Sequence, residues 1–289
     1  MNYIIFDMEW NQPADLSAMV TEPIPVTGEI IEIGAVTLDD RFRLIDELRL
    51  YITPMHYTRM HRRIAALTGI HDRDLMTRGV PFPQACKAFR AFCGEEFRFM
   101  TWSMSDIPIL IDNLLLHSID VSWLPVCYDI QRMFGREIMR SDTRYALDTA
   151  LAILKEHGDT AHDALNDSRN TALVCNHLEL DVYLEEYGAQ VFAEQPMAQV
   201  YPDHAAALND PLLADCVCPC CGGKLEMEPW IRGERCYMTC GTCPEEEEFL
   251  VQLTLIRQRP GAYRVRRMMY EMSDDLWDIY MDRKEPLPV

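Results

Sequence analysis

The segment YIIFDMEW near the start of the chain is an apolar, β-branched run that ends in two carboxylates, Asp7 and Glu9, two positions apart. Side chains alternate along a strand, so both acids leave the same face, together with Tyr3 and Ile5. Two carboxylates on one apolar face repel each other and resist desolvation. Such a strand either runs out into solvent at Asp7 or brings its acids to a hard divalent cation such as Mg²⁺. This segment alone leaves both readings open.

The rest of the pattern sets the frame around that strand. Residues 29–38 and 43–52 read as two more strands, and their short spacing suggests an antiparallel meander. Residues 58–69 read as a helical turn ending at Gly69. Residues 82–93 place Phe82, Ala85, Phe89 and Phe92 at helical spacing. FRFMTW reads as a short buried strand, 106–118 as a helix and 125–130 as a strand. Helices at 144–157 and 163–187 follow. Three strands and then alternating helices and strands describe an α/β domain, a mixed sheet covered by helices.

At 289 residues the chain has room for one large domain or two unequal ones. The expected division is a domain over 1–188, a connector over 189–213 and a small module over 214–289. In that module FLVQLTLIRQ and YRVRRMMY read as strands around the turn Pro260-Gly261. SDDLWDIYMDR reads as a helix with Ser273 at its N-cap. A hydrophobic fraction of 48% and a charged fraction of 25% exclude a disordered, collagenous or coiled-coil chain. No apolar run reaches the ~18 residues that cross a bilayer, and the first residues lack a signal-peptide pattern. The expectation is a cytoplasmic protein with no membrane partner.

Charge narrows the function classes. Lys plus Arg is 27 and Asp plus Glu is 46, a net −19. A surface this acidic repels nucleic acid and argues against a nonspecific coating protein. It does not exclude an enzyme that meets nucleic acid through metal ions in a carboxylate pocket.

Cysteine use divides the chain. Of the 11 cysteines, Cys86, Cys93, Cys127 and Cys175 are scattered through apolar segments as small core residues. The other seven lie between Cys216 and Cys243, a clustering that suits metal binding better than a disulfide framework. Cys218-x-x-Cys221 and Cys240-x-x-Cys243 are separated by 18 residues. Two such pairs can complete a tetrahedral Zn²⁺ site, closed to catalytic water. The module therefore looks like a zinc ribbon, with Cys216, Cys220 and Cys236 as spare thiols and a swap of Cys220 for Cys221 left open. Arg264, Arg266 and Arg267, on or beside one strand, make it a candidate nucleic-acid recruiter; a protein-docking surface is the other expectation.

Three more residues join Asp7 and Glu9. Asp106 lies just past the buried strand, with Ser105 suited to cap the next helix. In AHDALNDS, Asp163 is an N-cap candidate, which places His162 in the loop and Asp167 in the first turns. A D-x-E on the first strand, an Asp at a later strand end and H-x-x-x-x-D opening a late helix resemble the DEDDh 3′–5′ exonucleases. That superfamily includes ribonuclease T and the DNA polymerase III proofreading subunit. FDMEW, IAALTGI, TWSMSD and HDALND are closest to its KapD-like or ERI-type branch, over about residues 1–185.

The resemblance implies a ribonuclease H-like fold with a mixed five-stranded sheet. It implies two Mg²⁺ or Mn²⁺ ions held by Asp7, Glu9, Asp106 and Asp167, with His162 as general base. Two metals can activate water and neutralise the leaving 3′ oxygen, and an imidazole with a pKa near 6.5 suits the base. The implied partner is single-stranded or 3′-overhanging RNA or DNA, cut stepwise to nucleoside 5′-monophosphates. Met8 and Trp10 are the expected substrate contacts, with Arg59, Arg62 and Arg63 near the mouth. This chain has Ser103 and Met104 where the family often has Gly and Asp, Asn166 where it often has Asp, and Ser168 where it often has Ala. The alternatives are a non-catalytic nucleic-acid or protein adaptor on the same fold, and a dinucleotide phosphodiesterase.

Overall fold

The computed structural model describes residues 1–193 and 197–284. They divide into two compact units, one of residues 1–14 and 26–188, the other of 15–25 with 189–193 and 197–284.

The first unit is built on the meander β1 (Asn2–Asn11), β2 (Glu29–Leu38) and β3 (Leu44–Thr53). Next come α1 (Arg62–Thr68), α2 (Asp72–Arg78), the two-residue β4 (Val80–Pro81) and α3 (Phe82–Cys93). Strand β5 (Phe97–Thr101), α4 (Asp106–Leu116) and β6 (Val126–Asp129) follow. A short α5 (Ile130–Met133) runs into a π-helical turn over Phe134–Ile138. The unit closes with α6 (Leu147–Leu154), α7 (Ala164–Cys175) and α8 (Leu180–Tyr187).

Strand order in its sheet is β4-β3-β2-β1-β5-β6. The meander is antiparallel, while β1–β5 and β5–β6 are parallel. This is the expected mixed five-stranded sheet, lengthened by β4. Strand β2 is buried along its whole length, as a central strand covered on both faces must be.

Alternation along β1 sorts the two layers. Ile4, Phe6 and Met8 are buried, and Phe6 meets Phe89 of α3 and Phe99 of β5 edge-on. Ile5 points the other way, into a cluster with Met100, Leu165 and Ala172. Asp7 and Glu9 continue that second face, the one α7 covers. The four scattered cysteines are all buried. The helix expected over 163–187 is broken into α7 and α8, and α2 and the π-helical turn went unread in the sequence.

Close approach of α7 depends on Gly34. A Cβ there would lie 2.0 Å from the Leu165 amide nitrogen and 2.1 Å from the Ala164 carbonyl carbon. Ser168 Oγ donates to the Gly34 carbonyl at 2.9 Å, fastening the helix to β2.

The second unit is also a β structure. Strand β7 (Gly188–Ala193) and α9 (His204–Leu208) lie in the stretch expected to be a connector, of which 194–196 fall outside the described residues. Then come β8 (Glu226–Met227), β9 (Ile231–Arg232), β10 (Tyr237–Thr242), β11 (Glu248–Arg259), β12 (Ala262–Glu271) and α10 (Asp274–Lys284). The order is β7-β12-β11-β10-β8, with β9 also on β10. Ser273 starts α10, its hydroxyl accepting from the Leu276 amide at 3.4 Å.

The expected basic strand of this unit has internal partners. Arg264 is 2% exposed and donates to the carbonyls of Thr21 and Met197 and to Glu22. Arg267 donates to the carbonyls of Leu212 and Leu213. These two guanidiniums hold loops together and are not free phosphate contacts, because strand alternation and loop folding bury what a basic run suggests is exposed. Among the described residues no helix is long and apolar enough to cross a membrane.

Candidate active site

Asp7 and Glu9 occupy the end of β1, just before its register against β2 shifts between Glu9 and Trp10. Asp106 opens α4 and is 5% exposed. Its Oδ1 accepts from the Met8 amide at 3.2 Å, tying the start of α4 to β1. Ser105 sits at the expected cap position but makes no side-chain cap bond there.

Asp163 caps α7 as expected, accepting from the Asn166 amide at 3.0 Å. His162 therefore stays in the loop, in the left-handed region at φ 64°, an uncommon conformation for a residue with a Cβ. Its amide donates to Asp167 Oδ2 at 2.9 Å. The carboxylate that lies beside Glu9 thus also fixes the backbone of the histidine. Donor atoms of Glu9, His162 and Asp167 lie within 4.8 Å of one another.

Electrostatics report the same convergence. Burial first, then the charges of Asp106, Glu9 and Asp167, push the Asp7 carboxyl well above its ordinary range. Burial, followed by Asp167 and Glu32, pushes Glu9 up to about 8. Asp106 rises to about 7 through burial, opposed by the Met8 hydrogen bond. Burial also raises Asp167. Carboxylates pressed together this way lack positive charge at their centre, which fits a divalent cation.

Glu32 is the residue that sequence reasoning missed. It stands on β2 as the direct register partner of Glu9 and is 1% exposed. One oxygen accepts from the Ala164 amide at 3.4 Å; the other has no hydrogen-bond partner. Burial and Asp163 push it up to about 7, against the pull of Arg49. Arg49 reaches both acids, with Nε 3.5 Å from Glu32 and a bond to Asp163 Oδ1. The signal was a charged residue inside EIIEIGAV, a run otherwise apolar enough for a doubly covered strand.

The expected substrate contacts separate. Met8 alternates to the far side of β1 and is 2% exposed, so its side chain belongs to the core and only its amide serves the site. Trp10 is half-buried beside Gly28, where a Cβ would meet its Cδ1 at 2.4 Å. Asn11 pins the next loop, donating to the carbonyls of Tyr57 and Arg59 and accepting from the His61 amide. Arg59, Arg62 and Arg63 on this segment are exposed.

Residues 4–175 match the Exonuclease (RNase T) family. The chain belongs to that family. Its first unit has the ribonuclease H-like fold. No curated protein matches the chain. Among solved structures, cell-death related nuclease 4 (CRN-4) is 19% identical, with a TM-score of 0.51 over 61% of this chain and 62% of that one. The nuclease domain of 3′hExo, a DEDDh family member bound to rAMP, is 22% identical, with a TM-score of 0.52 over 63% of this chain and 92% of that one. The zinc-bound E. coli ExoI–ssDNA complex is 13% identical, with a TM-score of 0.51 over 83% of this chain and 54% of that one. The chain therefore spans less than two thirds of CRN-4 and about half of ExoI.

The cysteines expected to bind zinc do not all meet. Sulfurs of Cys218, Cys221 and Cys243 lie within 4.8 Å of one another, and Cys240 is outside that group.

Proposed function

We propose that this exonuclease removes nucleotides one at a time from the 3′ end of RNA or DNA, using two Mg²⁺ or Mn²⁺ ions and releasing nucleoside 5′-monophosphates. The observation that carries this reading is the meeting of Asp7, Glu9, Asp106 and Asp167 beside His162, with each of the four acids raised above its ordinary range. An adaptor gains nothing from so costly a cluster, whereas a metal-dependent hydrolase requires it.

Asp7, Glu9, Asp106 and Asp167 would hold the ions. Bound divalent ions supply charge neutralisation for the attacking and leaving oxygens of a phosphodiester. His162 accepts the proton of the attacking water on an imidazole nitrogen, held for that purpose by the Asp167–amide bond. Trp10 offers a ring for base stacking. Arg59, Arg62 and Arg63 offer positive charge to the substrate backbone, and Asn11 sets the loop that carries Arg59 and leads into α1. Fold similarity to a nuclease bound to rAMP and to an exonuclease bound to ssDNA makes single-stranded ends the first substrates to test.

The test uses RNA, DNA and dinucleotides labelled at the 5′ end, with Mg²⁺ or Mn²⁺. A ladder shortening from the 3′ end is expected, and Asp7→Ala or His162→Ala should abolish it while circular dichroism stays unchanged. Endonucleolytic fragments, or full activity in either variant, would overturn the assignment.

A further inference from the structure

We propose that the second unit holds one Zn²⁺ on three thiolates, Cys218, Cys221 and Cys243, with Cys240 excluded. The inference is independent of the nuclease reading, because none of these residues belongs to the carboxylate site.

The first pair sits on a tight turn. The Gly222 amide donates to the Cys218 carbonyl at 3.0 Å, and Gly222 takes φ 72°, a conformation glycine adopts without steric cost. This turn brings both sulfurs to one side. The backbone also points at them: the Cys220 and Cys221 amides donate to Cys218 Sγ, and the Gly223 amide to Cys221 Sγ, each at 3.4 Å. Three amides aimed at two sulfurs favour the thiolate form that a metal requires.

The second pair has the same spacing but a different backbone. Residues 240–242 are still strand β10, with Cys240 opposite Leu250. Positions three apart on a strand face opposite sides. Cys243, just past the strand end, joins Cys216, Cys218, Leu225 and Phe249 in one cluster. Cys240 faces the other way, where its charged neighbours are Glu248, Glu228 and Lys284.

Three sulfurs already within 4.8 Å need only a small inward adjustment to reach the separation of about 3.8 Å set by Zn–S bonds of ~2.3 Å in a tetrahedron. Two further donors, Cys220 and Glu247, lie within the same distance of Cys218 and are available for the fourth position. Zinc accepts thiolate or carboxylate there. A soft, sulfur-rich set selects Zn²⁺ over the Mg²⁺ that carboxylates prefer.

The experiment uses the full chain, purified in reductant without chelator. Metal analysis should find one zinc per chain in the wild type and in Cys240→Ser, and none in Cys218→Ser or Cys243→Ser. Exchange with Co²⁺ gives a thiolate charge-transfer band whose intensity counts sulfurs, a measurement that needs no variant. A wild-type intensity short of three sulfurs, a zinc-free wild type, or loss of zinc in a Cys240→Ala protein with a native circular dichroism spectrum would overturn the proposal. Retention of zinc by both Cys218→Ser and Cys243→Ser would do so equally.

Discussion

Gly34→Ala is the substitution that tests how the site is assembled. Gly34 lies on β2 under the first turn of α7, the helix that carries Asp167 and follows His162. A methyl at this position needs about 3.4 Å to ordinary neighbours. The Leu165 amide nitrogen is 2.0 Å away and the Ala164 carbonyl carbon 2.1 Å. Both are backbone atoms, so no rotamer change relieves the contact. The start of α7 must retreat by about 1.4 Å, the difference between the two distances. That retreat also lengthens the 2.9 Å bond from Ser168 to Gly34. Overpacking of this kind costs about 1–3 kcal/mol, a melting temperature lower by roughly 2–12 °C for a domain of this size. The effect on activity is larger, because a misplacement of ~1 Å can cost ~10²-fold in rate. Thermal melts and single-turnover release of labelled mononucleotide measure the two effects. Ser168→Ala is the control: it loses the hydrogen bond without the overlap, at about 1 kcal/mol. Wild-type melting and turnover in Gly34→Ala would refute the claim that α7 packs directly on this glycine.

Arg49→Met should leave the four clustered acids in place and loosen the cap that holds His162. A hydrogen bond to a charged group is worth about 1.5–3 kcal/mol, so kcat should fall at least about tenfold, with Mn²⁺ stoichiometry unchanged; equal kcat would dismiss the positioning role. Without added divalent ions, the protein should lose stability as pH rises. Glu9, Asp106 and Glu32 hold their protons more tightly folded than unfolded, with folded values of about 8, 7 and 7. Their contribution is complete below the unfolded carboxylate range of roughly 4 and disappears as pH passes through 7–8. Urea titrations at pH 5 and pH 8 should show the lower midpoint at pH 8, with Mg²⁺ closing the gap; a flat profile contradicts the raised carboxyls.

Much of this arrangement was readable from residue patterns. Strand β2 and helix α3 begin and end where periodicity places them. Asp163 caps α7 because its side chain can reach the Asn166 amide, a local effect visible in four residues. What escaped reading was nonlocal. Glu32 matters because antiparallel register sets it opposite Glu9, and register is not written in either strand alone. Arg49 reaches Asp163 across 114 positions of sequence. The four cysteines do not all meet, Cys240 standing apart, because spacing does not say whether the backbone is a turn or a strand, and an extended C-x-x-C sends its sulfurs to opposite faces. Arg264 looked like a phosphate contact, yet folding of residues 15–25 onto the second unit buries it. The ordered acids Asp7, Glu9, Asp106 and Asp167 were legible as a set because each sits at the end or beginning of an element whose type was clear.

Mn²⁺ binding followed by electron paramagnetic resonance tests the central claim most directly. Two ions per chain, magnetically coupled and both lost or decoupled in Asp7→Asn, are the predicted result. A wild-type protein that binds no Mn²⁺, or an Asp7→Asn protein that binds it unchanged, would contradict the account.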